Sequence, residues 1–411
     1  MHTLPNFKSH VRPGGRDSRF GGFYARRRNM WPSHEVSSRM SFRNIVVLLL
    51  AACWLGAQAP TQAKPGIGSW TQFRGDLAGR GVSYSPRPAY KGVKWKHHLG
   101  GPSTSTPAVA DGKVLIPTEG GWLYAVDGKE GKRLWQRKLP GEAVIASSPM
   151  LVKGVAILGT KGGHIVATNI ADGSPAWVHS TGAHAVYASP RGDDQGVIIG
   201  DMNGKVWCLE PQTGKVLWQR TLAREVASSV SFVGDHVLVP TRGKVMVELN
   251  RTTGEVVREM ALPYATASTP ALGMGYLYIM CGSDQGLAID LLTGAKAWSH
   301  DNPLDDQSCC AFADGMVYMP MGKHLKALNG RTGEHLWTSE TNHKIGPITI
   351  NGDDILLACR DRAFRVVDRK TGQVTFKLDF DEGFVSGPIL VDGTVYLAAD
   401  MDTGMHLYAI E

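Results

Sequence analysis

The sequence predicts an all-β fold: an eight-bladed β-propeller of four-stranded antiparallel blades, closed by an N-terminal strand that completes the last blade. Three observations predict it. A hairpin signature recurs about every 40 residues, each recurrence carries four short strands, and the last recurrence lacks the strand that the N-terminal side can supply.

Taken in chain order, residues 1–44 hold nine Lys/Arg against Asp17 and Glu35, which accounts for the whole formal charge of +7. Residues 64–411 are therefore electrically balanced, and a balanced domain has no electrostatic footprint for nucleic acid. The apolar run Ile45–Ala63 follows Arg43 and ends in small residues, the pattern of a secretory signal. Its apolar part is too short for a comfortable membrane span. Residues 40–63 then form the signal peptide from Met40, and residues 1–39 a basic leader or an untranslated extension. Two processing routes are open. Thr61-Gln62-Ala63 suits ordinary signal peptidase, whereas Leu50-Ala51-Ala52-Cys53 matches a lipobox whose cysteine would carry a lipid anchor. Ordinary export is the preferred reading, and either route takes the chain to an oxidising compartment.

After a lead-in over 64–92, the repeat occupies 93–411. AVDGKEGKRLW (125–135), ATNIADGSPAW (167–177), CLEPQTGKVLW (208–218), AIDLLTGAKAW (288–298) and ALNGRTGEHLW (327–337) are its strong copies, ELNRTTGEVVR (248–258) and VVDRKTGQVTF (366–376) its weaker ones. Their glycines fall at 131, 173, 214, 254, 294, 333 and 372. Each unit opens near a small-residue/proline pair such as SSP (147–149) and runs through a DG-type turn to the hairpin. Trp95, Trp135, Trp177, Trp218, Trp298 and Trp337 sit on fourth strands, where a large apolar ring can wedge against the next blade. The final unit, 386–411, stops after three strands. VKWKHHLGG (93–101) is the missing fourth, with Trp95 placed 40 residues before Trp135.

These A-x-D/N-x-x-T-G-x-x-x-W hairpins resemble the PQQ-like β-propeller repeat family. In architecture the chain is similar to the BamB-type outer-membrane assembly proteins, which place one eight-bladed propeller behind a signal sequence. Trp70-Thr71-Gln72-Phe73-Arg74-Gly75-Asp76 looks like the lead-in found before such propellers in bacterial exported proteins. The resemblance implies a protein partner in the cell envelope, no catalytic residues, no metal, no cofactor, and a monomer that meets a membrane only through an anchor at Cys53.

The same repeat builds quinoprotein dehydrogenases, so fold leaves a second function open. Cys309 and Cys310 occupy a blade-opening slot in place of a Ser/Thr and a proline. By resemblance to those dehydrogenases, an adjacent pair there would cover pyrroloquinoline quinone (PQQ) held with calcium. The following Ala311-Phe312-Ala313-Asp314 departs from the dehydrogenase pattern, and blades of this size leave no room for the insertions that build a substrate site. Cysteines as small packing residues are the preferred reading. The partner surface is expected on the loops joining each blade to the next. They carry His184, Tyr187, Arg224, Glu225, Tyr264, Asp305, Asp306, His343 and Glu382, a mixture of aromatics and both charges.

Overall fold

The computed structural model describes residues 64–140, 145, 147–282, 285–301, 308–380, 385–400 and 404–411. The calls on residues 1–63, and on Asp305, Asp306 and Glu382, lie outside the described residues. The described chain carries no helix and forms eight four-stranded antiparallel blades in a ring. Blade 1 shows the plan: Ala108–Ala110 innermost, then Lys113–Pro117 and Trp122–Asp127, with Arg133–Lys138 outermost. Blades 2 to 7 repeat it. Blade 8 is Ile389–Val391, Thr394–Ala399 and His406–Ile410, with Val93–His98 as its outermost strand. That strand runs antiparallel to the chain's last one, pairing Trp95 with Ala409 and His98 with His406. The ring is closed as the sequence predicts.

The burial pattern follows from this plan. The two middle strands of each blade lie between neighbouring blades and are apolar on both faces, as in Val155–Gly159, which is buried throughout. The outermost strands alternate, so Arg133–Lys138 and Val374–Asp379 bury only every second side chain in part. The core is accordingly divided into eight clusters, one at each blade-to-blade junction.

The hairpin signature serves two purposes in this packing. Its acid or amide caps its own turn: Asp127 Oδ1 accepts the amides of Lys129 and Glu130 at 2.9 and 2.8 Å, and Asp290, Asn329 and Asp368 do likewise. Its glycine is left-handed in every copy and, in six of the seven, receives the tryptophan of the preceding blade. A Cβ on Gly254 would lie 2.4 Å from the Trp218 ring, and one on Gly131 would lie 2.6 Å from Trp95. The indole N–H then donates to a turn carbonyl of the same neighbour, as Trp135 does to Ile170 at 3.1 Å and Trp298 to Gly330 at 2.9 Å. Blade 4 has Arg258 in this position, and its guanidinium reaches the Leu291 and Leu292 carbonyls of blade 5 instead. Blade 7 has Phe376, which stacks on Tyr90 with ring centroids 5.5 Å apart.

The lead-in has a structural role that its sequence does not announce. Residues 66–83 circle the axis and bond the innermost strand of every blade in turn. Trp70 and Val109 exchange two backbone hydrogen bonds; Leu151, Phe232, Leu272, Phe312 and Ile350 donate to the carbonyls of Thr71, Leu77, Ala78, Arg80 and Gly81. Blade 3 reaches the Gln72 side chain through the Gly192 amide, and blade 8 accepts from Ser83 through the Leu390 carbonyl. Val82–Ser83 also runs parallel to Thr349–Asn351 as a short extra strand. These bonds satisfy innermost-strand amides that would otherwise face an empty channel.

Candidate functional site

Above this lead-in, the loops that open each blade surround an axial cavity of about 490 Å3. Its floor is Phe73 of the lead-in, and its wall is a ring of small residues taken from the second position of the blade openings. Thr106, Ser148, Ser189, Ser229 and Thr269 are five of them. The ring is joined from blade to blade: the amides of Thr106, Ser148 and Ser189 donate to the hydroxyls of Ser148, Ser189 and Ser229 at 3.0, 2.8 and 2.9 Å.

Cys309 continues that ring. Its Sγ accepts the Thr269 amide at 3.4 Å, the same link made with sulfur. Cys310 turns the other way, into the core between blades 5 and 6 beside Ala271, Tyr278 and Met319, where it is fully buried. Burial pushes its thiol well above the ordinary range. Both thiols are free. Cys281 and Cys359 lie in two other junctions, between blades 4 and 5 and between blades 6 and 7, and burial pushes each up to about 12.

Two arginines hold the axis together beneath the cavity. Arg74, at a left-handed φ of 67°, donates to the carbonyls of Cys310 at 2.5 Å and Ile348 at 2.6 Å, bridging blades 6 and 7. Arg191 donates to the Val230 carbonyl at 2.7 Å and the Ser231 hydroxyl at 3.1 Å, and reaches back to the Asp76 carbonyl of the lead-in. Burial lowers both, Arg191 to about 10, against the opposing pull of Asp76 on each. Asp76 also binds Arg80 at 2.6 Å. The Arg-Gly-Asp tripeptide is thus part of the internal packing of the axis. Sequence reasoning missed these residues; the available signal was an arginine and an aspartate within a motif too short to form a blade.

The described residues of the predicted rim lie on the blade-joining loops at the cavity end. Tyr187 is both a rim and a cavity residue, 36% exposed, with the Lys161 ammonium 5.6 Å from its ring centre. Tyr264, 38% exposed, has Lys244 over it at 5.9 Å. Glu225 pairs with Arg242 at 3.5 Å, and Arg224 lies across Gly243. His184 and His343 are exposed, and the His343 ring accepts the Lys344 amide at 2.8 Å. Trp95, Trp135, Trp177, Trp218, Trp298 and Trp337 lie away from this end, at the blade junctions already described.

The described residues of the cavity do not by themselves supply the quinone-and-calcium chemistry of a dehydrogenase. Such chemistry needs carboxylates to hold the cation and to take a proton. Among the described residues no Asp, Glu or His lines the cavity, and no three His, Cys, Asp or Glu side chains converge. Only one cysteine of the pair faces it.

Comparison with known proteins agrees with the repeat. The sequence profile of the family described as outer membrane protein assembly factor BamB matches residues 84–192, 202–318 and 321–411. The Yersinia pestis protein of that name is 26% identical over 244 residues, 52% of this chain and 61% of its own length. The chain thus spans less than two thirds of that relative. The crystal structure of BamB from Moraxella catarrhalis superposes with a TM-score of 0.64 at 18% identity, covering 78% of this chain and 99% of that one. A quinohemoprotein alcohol dehydrogenase from Comamonas testosteroni superposes with a TM-score of 0.73 at 14% identity, covering 87% and 82%. At these identities the likeness to both structures is one of fold. With most of its length matched by the profile, the chain belongs to the outer membrane protein assembly factor BamB family.

Proposed function

We propose that this propeller is an exported, non-catalytic scaffold whose cavity-side rim holds a protein partner in the cell envelope, in the service of outer-membrane protein assembly. Family membership supports the setting. The observation that carries the surface is the pair Tyr187 and Tyr264, each half-exposed and each held under a lysine. Tyrosine and arginine, with tryptophan, are the residues enriched among interface anchors, and an anchor already ordered loses little entropy when it docks. Arg224 and the Glu225–Arg242 pair lie on the same rim and add charge of both signs. The scaffold needs no cofactor, and the four-stranded blades keep the loops in register.

The test is functional. A strain lacking the protein should show reduced folded β-barrel protein in its outer membrane. Wild type and an equatorial variant, Leu134→Ser, should restore it, whereas Tyr187→Ala/Tyr264→Ala should not. Full restoration by the rim variant would remove the rim from the function.

A further inference from the structure

We propose that the junction between blades 5 and 6 is a binding site for a soft monovalent metal ion, Cu(I), held by the thioether sulfurs of Met280, Met319 and Met321. All three side chains are at most 1% exposed and belong to one core cluster. Met280 lies on Tyr276–Cys281, the second strand of blade 5. Met319 and Met321 lie on Met316–Met321, the second strand of blade 6, and residues two apart on a strand share a face. The three side chains meet at Gly286. A Cβ placed there would lie 2.5 Å from Met319 Sδ, 3.3 Å from Met280 Sδ and 2.8 Å from the Met321 methyl. Two sulfurs, and the methyl carried by a third, are thus gathered around one point that has no side chain of its own.

The register of the repeat sets this arrangement apart from ordinary blade packing. At the same place other blades pair Pro117 with Leu123, Gly159 with Ile165 and Gly200 with Val206, a small or rigid residue against a large apolar one. Blade 5 reverses the pair and sets Met280 against Gly286. Met321 ends its strand where blades 1 and 4 have Thr118 and Thr241, whose hydroxyls bond their own hairpins. The donor set then names the ion. Neutral thioethers are soft ligands that select Cu(I), whereas carboxylate, carbonyl and imidazole suit harder cations. His300, opposite Gly286 in the register, has its Nε2 on the Gly333 carbonyl at 2.5 Å. Cys310 shares the junction, but burial keeps its thiol protonated, and only a thiolate ligates metal. Unbranched methionine side chains can turn their sulfurs onto one ion by small rotations.

The test titrates the purified full chain, its methionine methyls labelled with carbon-13, with Ag(I) and separately with Zn(II). Ag(I) shares the ligand preference of Cu(I) and is not oxidised by air. We expect three methyl signals to shift together as one Ag(I) binds, and the same three to stay in place with Zn(II). Met280→Leu and Met319→Leu conserve volume and should fold as wild type does. Each should delete one of the three signals and weaken binding by about tenfold or more, the loss typical of disturbing even an outer partner of a metal ligand. A thioether gives up no proton, so affinity should be level between about pH 6 and about pH 8, whereas a thiolate site would tighten as pH rises. The proposal is overturned if no methionine methyl moves, or if Zn(II) moves the same signals. It is equally overturned if both leucine variants, with unchanged melting temperatures, bind as wild type does, or if affinity rises with pH and is lost only in Cys310→Ala.

Discussion

The glycine of each hairpin is where one residue decides how two blades meet. Gly254 has a φ of 68° and would place a Cβ 2.4 Å from the Trp218 ring, whereas Gly294, with a φ of 73°, would meet nothing nearer than the flexible Met260 side chain at 3.2 Å, with Arg258 at 3.8 Å. An L-residue in the left-handed region costs about 1–2 kcal/mol by itself. Gly294→Ala should cost about that much, because methionine can shift to make room. Gly254→Ala must also displace an indole that is hydrogen-bonded to Arg251 at 2.8 Å, and should cost about 3 kcal/mol or more. Urea unfolding of the two variants checks this, and equal losses would mean that the indole contributes nothing at the junction. The spacing of these glycines was legible in the sequence. Their contact was not, because each glycine and its tryptophan belong to successive copies and no single copy contains the pair. The cysteines show the same limit. Their slot could be aligned, but that Cys309 joins a hydroxyl ring and Cys310 a core depends on which way each side chain points.

The lead-in is the element that sequence reading understood least. It occurs once, so no period marks it, and it works mainly through backbone carbonyls, which leave no side-chain pattern. Its bonds give it a measurable signature. The amides of Leu151, Phe232, Leu272, Phe312 and Ile350 lie in five different blades, yet all donate to residues 71–81. Hydrogen exchange should find them slow in the intact chain. Weakening the lead-in with Arg74→Ala, which removes its bonds to the Cys310 and Ile348 carbonyls, should speed all five together. Acceleration at Phe312 and Ile350 alone would mean that the segment is held blade by blade, not as one element. The blades themselves were far more legible, since their buried middle strands, DG turns and capped hairpins each leave a local mark.

At the scale of the molecule, the ring gains its rigidity from closure. Val93–His98 completes the blade that His406–Ile410 leaves open, and eight junctions of similar composition then share the core. The lead-in lies across the channel and Phe73 forms a floor, so the cavity opens among the blade-joining loops. Those loops bring His184, Tyr187, Arg224, Glu225, Tyr264 and His343 to one end, although they are far apart in the chain. Repeat counting predicted that gathering, but the geometry around Tyr187 and Tyr264 depends on lysines from the hairpins of the same blade end, Lys161 and Lys244, which no motif singled out. In the proposed function this end docks a protein and the outer surface of the ring does not. The most direct measurement is site-specific photo-crosslinking in intact cells, with the probe at 264 on the rim and at 134 on the exposed outer strand. One defined adduct is expected from position 264, lost in Tyr187→Ala, and none from 134. Equal adducts from both positions, or an adduct from 134 alone, would contradict it.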